Sequence, residues 1–308
     1  MILVSLCSVA IGWGLAQSRH RDTLTSHRHA RLRVMPRAVQ QSTPSTPRLA
    51  VVPTTAPPPT AAGTTAPETP SAIPAPSSSV RSPMPAAATG TARLAIIIDD
   101  CGQWLTTERA LIALPIPLTV SIMPNAPYSS EVQRAARDAG QGIMLHLPME
   151  PRAHLARAGG EITTAMDDAT IAEQVRADLA RVPLARGVNN HEGSKATADP
   201  RVMRDVAEVL AGEGRYFVDS RTTTATVAAK ETAALNVPTA SRNVFLDDVP
   251  TQSAIEKQLM VAAEVARAKG TAIAIGHPKE TMLAALREES SRIEAQGVQF
   301  VLVQDVVQ

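Results

Sequence analysis

The chain has 308 residues, 30 Lys and Arg against 29 Asp and Glu, a formal charge of +1 and 44% hydrophobic residues, enough to bury a sizeable core. Eight arginines and two acids precede Arg93, so the positive charge belongs to the first part and the remainder is net acidic, which argues against nucleic acid as a partner. The two cysteines, Cys7 in an apolar run and Cys101 far downstream, argue against a disulfide framework.

Residues 1–16 are almost wholly apolar and an arginine cluster follows them, so the segment reads as a signal peptide or a membrane anchor. Residues 17–92 are dominated by Pro, Ser, Thr and Ala, which bury too little surface to offset ordering entropy; a disordered linker is expected. Together they imply a protein in the periplasm or another extracytoplasmic space, exported or tethered to the inner membrane through its N-terminus. From 93 to 308 the apolar periodicity is continuous and suits one α/β domain.

That domain opens with five apolar residues, 94–98, which predict a strand buried on both faces, and the strand runs into Asp99, Asp100, Cys101 and Gly102. Adjacent side chains on a strand alternate, so the two acids share one site only if the chain turns at Cys101 and Gly102. A second strand over 118–122 leads to a helix over 129–139 closed by Gly140, and a third strand covers 143–146. The irregular stretch 147–164 reads as a loop over the site, before a helix that begins near Asp167 with Ile171, Val175 and Leu179 on one face. A strand over 187–191 follows, and Asp199 with Pro200 supplies an N-cap and a first-turn proline for a helix to about Gly212. A strand at 216–218, a helix near 224–235, a strand at 244–246 and a helix over 252–269 ended by Gly270 come next. The chain closes with a strand at 271–275, a helix to Gly297 and a strand at 298–303.

Such βα units in series imply a mainly parallel sheet. No glycine-rich phosphate loop follows the first strand, so the expected architecture is an irregular, TIM-like (β/α)7–8 barrel rather than an open doubly wound sheet.

Four histidines fall in the domain. His146, His191 and His277 each stand at or just past a strand's C-terminal end, as does the Asp99–Asp100 pair, and in parallel α/β folds those ends share the active-site face. His154 lies in the long loop and reads as an ordinary loop residue. Two imidazoles and a carboxylate form a ligand set for a catalytic zinc or similar divalent ion, which leaves one carboxylate to accept a proton and one imidazole to donate one. Hydrolysis of an amide or ester is the chemistry such a set supports. Other positions carry two readings. Asp219, Asp247 and Asp248 are turn formers or site residues. Glu150 belongs to a metal shell or to a loop salt bridge. Cys101 ligates a soft metal or packs as a small thiol. Trp104 and Tyr128 stack on a sugar or anchor their loops. Asn190 and Arg221 flank the strand ends as candidate supporting or substrate contacts.

Six motifs in order, IDDCG at 98–102, LHLPMEP at 145–151, GVNNHEGS at 187–194, DSRT at 219–222, FLDD at 245–248 and IGHP at 275–278, resemble the divergent polysaccharide deacetylases. That family is similar to the larger carbohydrate esterase group of chitin and peptidoglycan deacetylases. The resemblance implies an irregular barrel and a divalent metal, with zinc expected, and removal of N-acetyl groups from an envelope glycan. It places Asp99 at the base, Asp100 and His146 at the metal, and His277 at the leaving-group acid. Glu150 stands where the second histidine of a His-x-x-x-His metal motif belongs, and His191 on the next strand is the candidate for the missing nitrogen. The alternative is a deacetylase-like module without turnover that holds glycan or a protein of the cell-wall machinery.

Overall fold

A computed structural model describes residues 91–153 and 159–308. The expectations for the apolar segment at 1–16, for the linker as far as residue 90 and for His154 lie outside the described residues, among which no helix is long and apolar enough to cross a membrane.

The sheet is built on β1, Ala92–Cys101, the run of apolar residues that opens the domain. Leu94, Ile96 and Ile98 enter the larger core under the helices, while Ala95 and Ile97 join a second cluster with Met144, Val218, Ile273 and Ile275. Both faces of β1 are therefore dry, as a parallel strand covered on both sides requires. Each fully buried Leu or Ile there contributes roughly 1.5–3 kcal/mol.

The remaining elements are α1 Leu105–Ile112, β2 Thr119–Ile122, α2 Ser129–Asp138, β3 Gly142–Met149, α3 Asp168–Arg181, β4 Gly187–Glu192, α4 Pro200–Gly212 and β5 Tyr216–Asp219. They continue with α5 Ala228–Ala234, β6 Thr239–Ser241, β7 Val244–Phe245, α6 Gln252–Lys269, β8 Thr271–Gly276, α7 Glu280–Ala295 and β9 Val298–Val301. The strand order is β6-β5-β4-β3-β2-β1-β8-β7, with β9 beside β1 and every pairing parallel.

The two ends of that order, β6 and β7, are consecutive in the chain. Arg242 N donates to Asp219 O at the end of β5, and Asn243 N donates to Ile273 O in β8. The chain thus steps from one edge of the sheet to the other in two residues, and the sheet curls into the irregular (β/α) barrel that the element order predicts. β1 gives the lower part of one edge to β9 and the upper part to β2. All strand C-terminal ends reach the same rim.

Local chemistry explains most boundaries. The Asp167 and Asp199 carboxylates cap α3 and α4, Thr251 caps α6, and Gly270 ends α6 with φ +84. α5 is shorter than expected, because the Thr223 and Thr226 hydroxyls accept from Ala225 N and Ala228 N and fold 223–227 into turns. β3 extends to Met149, where Ile162 pairs with it, so 147–149 is strand rather than loop. The last strand ends at Val301 and a 3-10 turn, Val303–Asp305, follows it. Neither α1 nor β6 is marked in the sequence.

Candidate active site

β1 delivers its two acids through a bulge. Asp99 keeps the inward parity of Ala95 and Ile97. Asp100 in a regular strand would face the helices, but it takes φ +56, and the register against β2 shifts between Ile98 and Cys101. The turn therefore begins at Asp100, one residue earlier than expected, and both carboxylates enter one cleft. Cys101 goes the other way, buried in the larger core with its thiol on Ile98 O, and so reads as a packed thiol. Behind the bulge, the buried Glu108 accepts from the N–H groups of Gly102, Gln103 and Trp104 at 2.9, 3.0 and 2.9 Å and holds the turn. Glu192 and Arg221, at the ends of β4 and β5, also adopt φ +52. Three non-glycine residues in the left-handed region at one rim store strain, of order 1 kcal/mol or more each, at the cleft.

At the centre, Asp100 Oδ1 lies 3.2 Å from His146 Nε2 and 2.9 Å from His191 Nδ1, and the two nitrogens are 3.2 Å apart. His146 turns Nδ1 onto Asn189 Oδ1 at 2.8 Å, so in the neutral ring Nε2 presents its lone pair to the cleft. Asp100 Oδ1 is buried without a conventional hydrogen bond. Asp100 Oδ1 and, in the neutral ring, His146 Nε2 are acceptors facing one point, and His191 Nδ1 joins them in the tautomer that carries its proton on Nε2. That donor set fits a divalent cation.

The electrostatics agree. Burial opposes the charge on Asp100, but the His146 and His191 imidazoles outweigh it and hold the carboxyl below the usual carboxylate range. Burial likewise opposes a charge on His146, and Asp99 with Asp100 overcomes it and raises the imidazole to about 9. The two acids call for positive charge between them.

Asp99 and His277 flank this centre. Asp99 is 4% exposed and accepts from Asn189 Nδ2 at 2.8 Å, while its Oδ2 lies 3.7 Å from His146 Nε2. Burial raises its pKa against the opposing pull of His146 and Asn189. His277 directs Nδ1 at both Asp247 oxygens, 3.0 and 3.1 Å away, which leaves Nε2 toward the cleft, 3.7 Å from Asp100 Oδ2. Lys279 also holds Asp247, at 3.2 Å. Burial opposes a charge on His277 and Asp247 overcomes it, so its pKa is raised.

The cleft encloses about 480 Å³, lined by these five residues together with Asn190, Glu192, Ser220, Arg221, Thr222, Arg242, Phe245 and Ile275. Other expected residues take other parts. Glu150 sits in a loop clamp: Oε1 meets Lys195 Nζ at 2.8 Å and Oε2 accepts from Thr164 N and Oγ1 at 2.8 Å. It resolves to the salt bridge, because β3 runs to Met149 and carries it past the centre. Asp219 is a turn former, accepting from Arg221 N and Thr226 Oγ1. Asn190 ties β4 to β5 by accepting from Ser220 N and donating to Glu192 O. Asp247 orients His277, and Asp248 is exposed. Trp104 and Tyr128 are 50% and 40% exposed at the starts of α1 and α2, so neither anchors its loop by burial, and neither lines the cleft. Asn189, with Ser121 on its amide oxygen, was not expected at the centre, although its period-two spacing from His191 marks it as inward-facing. Arg242 was not expected either, and no periodicity marks it.

Residues 96–307 match the family model described as divergent polysaccharide deacetylase. The chain belongs to that family. This deacetylase-family chain is 36% identical over 195 residues to an uncharacterized protein of Haemophilus influenzae, covering 63% of this chain and 70% of that one. It is 33% identical over 196 residues to the uncharacterized Escherichia coli K12 protein YibQ, covering 64% and 61%. The crystal structure of an uncharacterized Agrobacterium tumefaciens C58 protein matches it with a TM-score of 0.68 at 21% identity, over 73% of this chain and 92% of that one, and so shares its fold. Membership in the deacetylase family implies a polysaccharide deacetylase-like function and an acetylated glycan as the class of substrate.

Proposed function

We propose that this deacetylase-family chain is a metal-dependent hydrolase that removes N-acetyl groups from an envelope glycan, peptidoglycan or a chitin-like polymer. The observation that carries the reading is the convergence of Asp100 Oδ1, His146 Nε2 and His191 Nδ1 on one point, with Asp99 and His277 on either side. Asp100, His146 and His191 would hold a divalent ion such as zinc, which would supply Lewis acidity for the amide carbonyl and the attacking water. His191, from β4, takes the ligand place that the sequence pattern gives to position 150.

Asp99 accepts the water's proton. Asn189 pins its Oδ1, which leaves Oδ2 to face the cleft, and burial makes it a stronger base than an exposed aspartate. His277 delivers a proton from Nε2 to the departing amine, and Asp247 holds the ring and stabilises its charged form. A polymer substrate outside the cytoplasm agrees with export and tethering through residues 1–92.

The deciding experiment measures metal content and acetate release together, using the purified full chain with N-acetylated chitooligosaccharide and peptidoglycan. The reading expects one zinc-like ion per chain and free acetate. Bound metal with no acetate from any glycan, but measurable glycan or protein association, overturns it in favour of a binding module.

A further inference from the structure

Arg221 and Arg242 line the cleft, and the proposed chemistry does not use them. Arg242 stands where the chain crosses between β6 and β7. Its Nε donates to Ser220 O at 2.6 Å, its Nη2 donates to Arg221 O at 3.1 Å, and its guanidinium carbon lies 4.8 Å from the Phe245 ring centroid. These contacts fix the plane of the guanidinium and include no carboxylate. Arg221 is exposed at φ +52.

The buried acids nearby each have other hydrogen-bond partners, and Asp99, Asp219 and the exposed Asp248 act on Arg242 only through space. Asp219 serves Arg221 N and Thr226, Asp247 serves His277 and Lys279, and Asp99 serves Asn189. Among the described residues neither guanidinium has a carboxylate ion-pair partner. A half-buried, oriented guanidinium with no carboxylate in contact keeps donors for a ligand, and its planar fork matches the two oxygens of a carboxylate.

The geometry points to Arg221 and Arg242 as a carboxylate-recognition subsite: the glycan this cleft takes carries a carboxylate on or beside the N-acetylated sugar, as a uronic acid or a lactyl ether does. This rests on the reading of the cleft as a glycan site, not on its turnover. The Asp100–His146–His191 centre and the two arginines line one cleft, so a single ligand can meet both.

Calorimetric titration of the metal-loaded full chain with two oligosaccharides of equal length tests it. One is a neutral N-acetylglucosamine oligomer; the other carries a carboxylate on alternate sugars. The acidic oligomer binds about tenfold or more tightly, one charge-assisted contact's worth. Arg221→Gln and Arg242→Gln bring that ratio toward one, and Arg221→Lys restores part of it. The Arg221 side chain is exposed, so its variant reports even where Arg242→Gln unfolds. Equal affinity for the two oligomers, or an unchanged ratio in Arg221→Gln, overturns the subsite. Loss of both affinities alike in a folded Arg242→Gln removes Arg242 from it. Because binding is read without acetate release, a chain that prefers the acidic glycan but releases no acetate keeps the subsite and loses only the proposed reaction.

Discussion

Asn189 donates from Nδ2 to Oδ1 of Asp99 at 2.8 Å, and the same amide turns its oxygen to His146 Nδ1 at 2.8 Å. One side chain therefore orients Asp99 and fixes the tautomer of neutral His146. The amide nitrogen only donates, so the near oxygen of Asp99 accepts; the amide oxygen only accepts, so His146 carries its proton on Nδ1 and offers Nε2. Asn189→Asp keeps the shape and reverses the donor, setting a carboxylate against Asp99. Metal affinity and acetate release each fall by about 10–100-fold in that variant. Asn189→Leu also leaves buried polar groups unpaired and loses about 1–3 kcal/mol of stability. Metal titration, acetate release and denaturant unfolding measure the three effects. Native turnover in Asn189→Asp would show that the amide's polarity has no part in the reaction.

The proposed ligands make a separate prediction. Asp100→Asn, His146→Gln and His191→Gln each lose the bound ion, whereas Glu150→Gln keeps it, because Glu150 is engaged by Lys195 and Thr164. An ion bound only by the folded state adds about 2.7 kcal/mol at a hundredfold excess over its Kd. A chelator therefore lowers the Tm of the native chain and leaves that of Asp100→Asn unmoved. Elemental analysis and thermal melts decide; full metal content in His191→Gln would remove position 191 from the ligand set.

Much of this was legible in the sequence, and the exceptions have physical causes. The run at 94–98 and the helix over 252–269 are plain because burial on two faces and a Thr251-to-Gly270 pair of ends leave one reading each. The histidines at strand ends gave the rim of the cleft. α1 stayed hidden because Trp104 at its start makes no side-chain cap; the carboxylate that satisfies that turn is Glu108, inside the helix. β6 is short and half-buried, with no apolar alternation to mark it. Asp100 reaches the cleft through a left-handed backbone, which alternation cannot forecast for an aspartate. Arg242 depends on how the two edges of the sheet meet, a property of the whole topology rather than of its neighbours.

Glu150 gives the chain a pH signature away from the catalytic centre. Burial works against its ionisation, but Lys195 and Thr164 outweigh it and hold the carboxyl at about 2, below its usual 4.5. A group depressed on folding stabilises above its unfolded pKa, so this contribution is full above about pH 4.5 and is lost as pH falls toward 2. The Lys195 side chain is 46% exposed, so solvent screening limits the contribution to about 1 kcal/mol. Glu150→Gln is less stable than the native chain at neutral pH, and the difference narrows as the solution is acidified through that window. Urea unfolding at a series of pH values measures it; parallel curves would show that the clamp does not form in solution.

Gly102 carries the last test, because it separates the turn that presents the acids from the acids themselves. It sits at φ +108, and a Cβ there would come within 2.8 Å of the Ala126 Cβ and 3.1 Å of Ser129 Oγ. Ser129 cannot easily yield, since its hydroxyl donates to Met123 O and Ala126 O at the start of α2. An added methyl must therefore push the 100–102 turn back along β1. Gly102→Ala is expected to lose about 1–3 kcal/mol of stability and, with Asp100 displaced, to weaken metal binding. Gly140→Ala is the control: it has φ +72 but nothing within 4 Å of the added Cβ, so it costs about 1 kcal/mol and leaves metal affinity unchanged. Thermal melts and metal titration of the two variants distinguish local strain from loss of the site. Equal metal affinity in both would mean that the turn at Asp100 is held by Glu108 and β1 alone.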